Sequence, residues 1–227
     1  MNTQIILDYL EGLRTHNERE WYHEHKGEYK AACGEFEALL QEMILRIGRF
    51  DNSVLHLNPG DLTFKLVRDT RFSHDKSPYN PAFRAHISSK GKLPIPTGYY
   101  IMIKPGDQSF LGGGLFADMF QDAVSMVRNY LSQNPEEWNR IIHEKEFAAC
   151  FTVKGTALKN VPRGYEKDHP QAQYLKHKSW YLEFPLKDQE LLDPQGFLDK
   201  AALLFEKMKP FNDYLNRALE GFQMPTR

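Results

Sequence analysis

The chain has 227 residues, 41% of them hydrophobic and 26% charged, which suits a globular protein with a buried core and not a disordered or fibrous chain. Its 29 Lys and Arg against 30 Asp and Glu give a formal net charge of -1, which excludes a protein that is basic all over, as a nonspecific polyanion binder must be. Apolar runs of a few residues fall far short of the roughly 20 needed to cross a bilayer, so no membrane partner is expected.

Ile5, Ile6, Tyr9, Leu10 and Leu13 recur at helical spacing and predict a first helix that ends near Gly12 and Arg14. Asp8 and Glu11 fall where a signal peptide needs an apolar run, so export is not expected. Asn17 with Glu20 reads as a capping box opening a second helix. Along it Trp21, His25, Tyr29, Ala32, Phe36, Leu40, Met43 and Ile47 keep a helical period, and Gly27 and Gly34 are places where it can break. The pattern then alternates: Thr63 to Arg68 and Phe83 to Ile87 predict strands, and Gly98 to Lys104 is the clearest one. Pro105-Gly106-Asp107 supplies a turn, and Ser109 to Phe116 returns as the second arm of a hairpin. A helix from about Asp118 to Leu131 follows, and Asn134-Pro135-Glu136-Glu137 signals another helix start. Lys178 to Phe184 predicts a further strand. Asp193-Pro194 and the region after Pro210 predict two closing helices. No linker-like stretch or internal repeat is visible, so the reading is one domain over residues 1–227: helical over 1–50, mixed sheet and helix over 60–185, helical again over 193–222. The fold class is α+β, a mostly antiparallel central sheet flanked by N-terminal and C-terminal helices.

The neutral total hides an uneven distribution. Residues 63–92 hold seven Lys and Arg against Asp69 and Asp75, a balance of +5, and residues 154–178 hold six against Glu166 and Asp168, a balance of +4. Two basic segments in an acidic chain can fold together into an anion site, or remain separate solvated faces. Metal motifs fail: His23-Glu24-His25 and His143-Glu144 lack the second His four residues after the first, and no metal site is read. Gly112-Gly113-Gly114 has neither phosphate-loop nor dinucleotide spacing and reads as a bulge, a close backbone approach or a pocket floor. Cys33 and Cys150 are too few for a disulfide framework and suit a reducing cytoplasm.

Two loops carry the densest chemistry. In Arg68 to Tyr79, the guanidiniums of Arg68 and Arg71 and the ammonium of Lys76 suit phosphate or carboxylate, while Asp69 and Asp75 can hold those cations or act as bases. The competing reading is an internal Arg–Asp network that fixes the loop, with Phe72 and Tyr79 as anchors. In Leu158 to Pro170, Lys159 and Arg163 are cationic, and Asp168 beside His169 offers a carboxylate and an imidazole that titrates near neutrality.

These motifs resemble the bacterial family of conserved hypothetical proteins called domain of unknown function 2461, in four blocks over most of the chain. Asn17 to Trp21, with Tyr22 and Lys26, resembles its Asn-x-Arg-Glu-Trp-Phe opening. Arg68 to Tyr79 resembles its Arg-Asp-x-Arg-Phe-Ser-x-Asp-Lys-x-Pro-Tyr core, the most specific block. Tyr99-Tyr100 through Gly112-Gly113-Gly114 resembles its aromatic strand and glycine run; Pro162 to Pro170 with Tyr174-Leu175-Lys176 resembles its Asp-Lys-Asp-His-Pro block. Glu166 stands where that pattern has Asp, and Asn80 where a Lys commonly follows Pro-Tyr, which removes one anion contact. The resemblance implies that these polar residues belong to a family pattern; it carries no activity and no cofactor.

The expectation is a cytoplasmic protein with a pocket for a small anionic ligand, phosphorylated compounds included, built from the 68–79 and 159–170 loops. Arg68, Arg71, Lys76, Tyr79, Lys159 and Arg163 would bind the anion; Asp69, Asp75, Asp168 and His169 would orient it or do acid/base work. Nucleic acid is not expected as a partner, and the cofactor, the reaction and the oligomeric state stay open. Two alternatives stand beside it. One is a non-enzymatic module binding protein or structured nucleic acid through its basic face and aromatics such as Trp21 and Tyr22. The other is a structural Arg–Asp network with function at an oligomer interface.

Overall fold

The computed structural model describes residues 1–116 and 119–225. The first helix, α1 (Thr3–Thr15), starts where the Asn2 side chain accepts from Gln4 N, and it buries Ile6, Tyr9, Leu10 and Leu13, the stripe its spacing predicts. Next come α2 (Arg19–Glu24) and α3 (Lys26–Ile47). The expected capping box is absent. Glu18 precedes α2 without capping it, and the Asn17 amide instead reaches Tyr79, donating to its carbonyl and accepting from its N–H at 3.0 Å each. That long-range pairing satisfies two backbone groups where a local cap would satisfy one. The helical break falls at His25, whose ring stacks on Trp21 at 4.0 Å, and not at Gly27 or Gly34.

After a 3-10 turn at Asn52–Val54 and the short α4 (Pro59–Leu62), the chain enters the sheet region. Thr63 to Arg68 is not a strand. It makes isolated pairings only, Thr63 with Ala85 and Val67 with Tyr79, because Pro78 and Pro81 on the facing segment have no N–H to continue a ladder. The true strands are β1 (Phe83–Ile87), β2 (Gly98–Ile103) and β3 (Ser109–Leu115). Gly106 and Asp107, at φ of 85° and 58°, turn the β2–β3 hairpin.

Helix α5 runs over Gln121–Gln133; its predicted start at Asp118 lies outside the described residues. Then come α6 (Pro135–Ile142), α7 (Lys145–Cys150), α8 (Ala172–Leu175), β4 (Trp180–Leu186), α9 (Asp188–Leu191) and α10 (Pro194–Ala218). The two expected closing helices are therefore one, with Pro210 inside it. An interior Pro costs about 3 kcal/mol. Phe205 and Met208 before it and Phe211, Tyr214 and Leu215 after it are all fully buried, and about 1.5–3 kcal/mol for each such side chain outweighs that cost.

The four strands form an antiparallel meander in the order β1-β2-β3-β4, so the class is α+β. Its inner face packs on α3 and α10: Phe83 stacks on Phe36 at 5.3 Å and Tyr99 meets Phe205 at 5.1 Å. The glycine run lets α10 approach. A Cβ on Gly113 would lie 3.1 Å from Met208 Sδ, and Asn212 in α10 accepts from Gly114 N at 2.8 Å and donates to Gly98 O at 3.0 Å. Gly114, at φ of 96°, holds a conformation that side chains rarely adopt. Among the described residues no helix is long and apolar enough to cross a membrane.

Candidate functional site

Strand alternation sends Tyr100 and Met102 of β2, Phe110 of β3, and Tyr181 and Glu183 of β4 to the outer face, where they are half-buried. Of these, Tyr100, Phe110, Tyr181 and Glu183 line a cleft of about 480 Å³ together with Phe64, Phe116, His86, Lys92 and Thr156. Rings cross the cleft in a row: Phe64 to Tyr100 at 6.4 Å, Tyr100 to Phe116 at 5.6 Å, Phe116 to Tyr181 at 4.6 Å. One registered line of the sheet runs His86, Tyr100, Gly112, Glu183. Gly112 contributes no side chain, and the rings of Phe110 and Phe116 lie 3.5 Å from where its Cβ would be; of the glycine run, Gly114 lines the cleft.

Charge lies beside the rings. Arg84, two residues before His86 on the same face, holds its guanidinium 5.6 Å from the Phe64 centroid and donates to Lys65 O at 3.1 Å. It makes no ion pair among the described residues, and its Nε has no partner there. Burial pushes the Tyr100 phenol up while nearby Arg84 pulls it down. Opposite, Lys154 Nζ pairs with Glu183 at 2.8 Å.

The two basic segments form the banks of this cleft. Residues of 63–92 run along β1, where Phe64 N donates to Arg84 O at 3.0 Å, and Lys154 pairs with Tyr181 on β4 through two backbone bonds. The sequence-predicted residues, however, lie outside the cleft. In the first loop Arg68 pairs with Asp75 and reaches Ser73, Arg71 forks onto Asp69 with bonds of 2.7 and 3.0 Å, and Lys76 donates to Thr70 O at 3.0 Å. Ser77 and Arg68 hold the Asp75 carboxyl well below the usual range, and Arg71 does the same to Asp69. Tyr79 is buried, clamped by Asn17 and stacked on Tyr22 at 4.5 Å.

In the second loop His169 Nδ1 accepts from Gln171 N at 3.0 Å, which leaves Nε2–H to donate to Ser132 O at 3.2 Å. Nε2 thus anchors the loop to α5 while Nδ1 closes a local turn, with help from Tyr165, whose hydroxyl lies 2.6 Å from Asn129 Oδ1. Lys159, Arg163 and Asp168 are exposed and make no ion pair among the described residues. Among those residues, no hydrogen bond, ion pair or ring contact joins the 68–79 loop to the 159–170 loop. No group of three or more His, Cys, Asp or Glu able to hold a metal occurs among them either.

The cleft residues carried a signal in the sequence. Tyr100 and Tyr181 are aromatics at the alternate positions of strands that otherwise reserve those positions for the solvent face.

Residues 5–214 match the family model described as conserved hypothetical protein (DUF2461). The chain belongs to this family. Neither the comparison with curated proteins nor that with solved structures gives a match. The DUF2461 match takes in all four strands, both basic segments and the whole cleft.

Proposed function

We propose that this protein binds a small anionic ligand bearing a flat ring, in the cleft on the outer face of the sheet. The observation that carries this reading is the row of rings from Phe64 to Tyr181 with the unpaired guanidinium of Arg84 beside it. Half-buried rings on a concave face accept another ring by offset or edge contact. A partly desolvated cation without a carboxylate favours an anion supplied from outside the chain. The basic banks strengthen the attraction, with Lys159 and Arg163 acting through the field they add and Arg68 and Arg71 largely neutralised by their own aspartates.

Calorimetric titration with phenyl phosphate, a nucleoside monophosphate and inorganic phosphate tests this. The ring-bearing anions bind and inorganic phosphate binds far more weakly. Tyr100→Ala weakens the ring-bearing anions by roughly tenfold or more, and Arg84→Gln weakens all three. Failure of every ring-bearing anion to bind, or binding indifferent to both substitutions, overturns the reading. Phe72, 94% exposed at the tip of the first loop, favours a second reading, contact with a partner protein there. Phe72→Ser separates the two, since it leaves the titration unchanged and removes only a contact made at the tip.

A further inference from the structure

Behind the sheet, on the face opposite the cleft, a hollow of about 260 Å³ opens where α10 passes the start of β2 and the turn at Asn52–Val54. A second hollow of about 310 Å³ adjoins it and shares Asp51 and Lys209. Where rings line the cleft, polar side chains line this hollow. Lys209, Asp213 and Asn216 stand on one face of α10, since they follow one another at four and three residues.

Each of the groups that face the hollow is held in place by a partner. Asp51 Oδ1 accepts from Ser53 N at 3.2 Å and Ser53 Oγ at 2.6 Å, and Oδ2 accepts from the hydroxyl of buried Tyr99 at 3.0 Å. Burial and then Asp51 push the Tyr99 phenol up, so it stays a donor. Asn216 Oδ1 accepts from Thr97 N at 2.7 Å and Thr97 Oγ at 3.1 Å, and its Nδ2 donates to Thr97 O at 3.1 Å. Lys209 Nζ donates to both oxygens of Asp213, at 2.8 and 2.7 Å. These bonds fix the groups without exhausting them. Lys209 and Asn216 each keep an N–H, while Asp51 Oδ2 and the Asp213 carboxylate keep lone pairs. The side chains of Lys209 and Asp213 are 28% and 43% exposed, so a molecule in the hollow reaches them. Across the two hollows Arg49 and Lys209 balance Asp51 and Asp213.

We propose that this hollow binds a small neutral polyol, a sugar or cyclitol of monosaccharide size. A hydroxyl both donates and accepts, so a polyol needs donors and acceptors interleaved at short range, and Lys209, Asp213, Asn216 and Asp51 supply them. Cancelling charges favour neither an anion nor a cation, and the volume admits one ring. Because Tyr99 and Thr97 already hold Asp51 and Asn216, little ordering is lost on binding.

The full chain is titrated by calorimetry with D-ribose, D-glucose and myo-inositol, and with cyclohexanol as a ring carrying one hydroxyl. At least one polyol binds with a Kd of about 1 mM or tighter, and cyclohexanol binds roughly tenfold more weakly or not at all. Lys209→Met and Asp213→Asn each weaken that polyol by roughly tenfold or more. Their pair is partly exposed, so both variants melt close to the unaltered protein. The methyl glycoside of a bound sugar tells a free sugar, whose binding it fails to reproduce, from the end of a glycan, which it mimics. Phenyl phosphate does not displace the polyol, because the cleft lies on the other face of the sheet. Binding of no polyol, equal binding of cyclohexanol, or affinity unchanged in both variants overturns the proposal and leaves the cleft reading standing. Displacement by phenyl phosphate also overturns it, since one site would then hold both.

Discussion

Burial sets the protonation of His86, and with it a pH dependence of the whole fold. The folded imidazole titrates at about 4 against an ordinary value of 6.5. Between those values the unfolded chain takes up a proton that the folded chain refuses, so stability falls as pH drops below about 6.5 and levels off below about 4. The full drop is roughly 3 kcal/mol. His177, pushed down first by burial and then by Arg128, has the same sign and adds to it. Asp69 and Asp75 titrate below the ordinary carboxylate range and are exposed, so their small contribution is lost only at lower pH. Urea unfolding at pH 7.5, 6 and 4.5 checks this: the midpoint falls across the series, and His86→Phe removes most of the fall. At this scale the sequence was only partly legible. Arg68, Arg71, Asp69 and Asp75 are conspicuous as residues, yet whether such groups pair with one another or face a ligand depends on the turn that carries them, and here they pair. Nor does Asp168 beside His169 reveal that both imidazole nitrogens are engaged elsewhere. His86 drew no notice because a lone His in a strand gives no sign of which face is left open.

Asn212 shows what an element needs in order to seat. It bridges the N–H of Gly114 and the carbonyl of Gly98, two buried backbone groups on neighbouring strands. Asn212→Ala leaves both unsatisfied, and thermal denaturation should report a loss of about 2–4 kcal/mol with the sheet order intact. Asn212→Asp buries an unpaired carboxylate with one oxygen against the Gly98 carbonyl and so loses at least as much as Ala in the same measurement. Helices and strands with a strong period were legible: α1, β2 and the α6 start stand where their residues predict them. The errors share one cause, a distant contact overriding a local rule. Asn17 serves Tyr79 and not its own helix, Pro210 is carried by the burial around it, and the alternation of Thr63 to Arg68 meets a facing segment interrupted by Pro78 and Pro81 and pairs with it only at isolated bridges.

Across the whole molecule, the near-zero net charge conceals a separation of sign, with balances of +5 and +4 on the two segments that bank the cleft and the acidic excess elsewhere. A mono- or dianion in the cleft replaces few counterions. Its affinity should therefore fall with salt with a logarithmic slope of about 1 to 2, where a long polyanion contacting many phosphates shows several times that. Titration of phenyl phosphate between low and high sodium chloride measures it; a steep slope points to an extended polyanion instead. The uneven charge of the two segments was legible, though it left open whether they meet or stay separate solvated faces. The surface they enclose was not, because it depends on how far apart in the chain its strands lie.

Strands β1, β2 and β3 follow one another through short connections, and their half of the cleft, with His86, Tyr100 and Phe110, rests on local pairing. The other half arrives with β4, which joins β3 only after the chain has passed through residues 116–179. Closing so long a loop is entropically costly and kinetically late. Tyr181 and Glu183 thus reach the site at the end of assembly, and a nascent or truncated chain that stops before β4 has the floor of the cleft but not its far wall. On the proposed binding reading, ligand capture waits for the completion of folding.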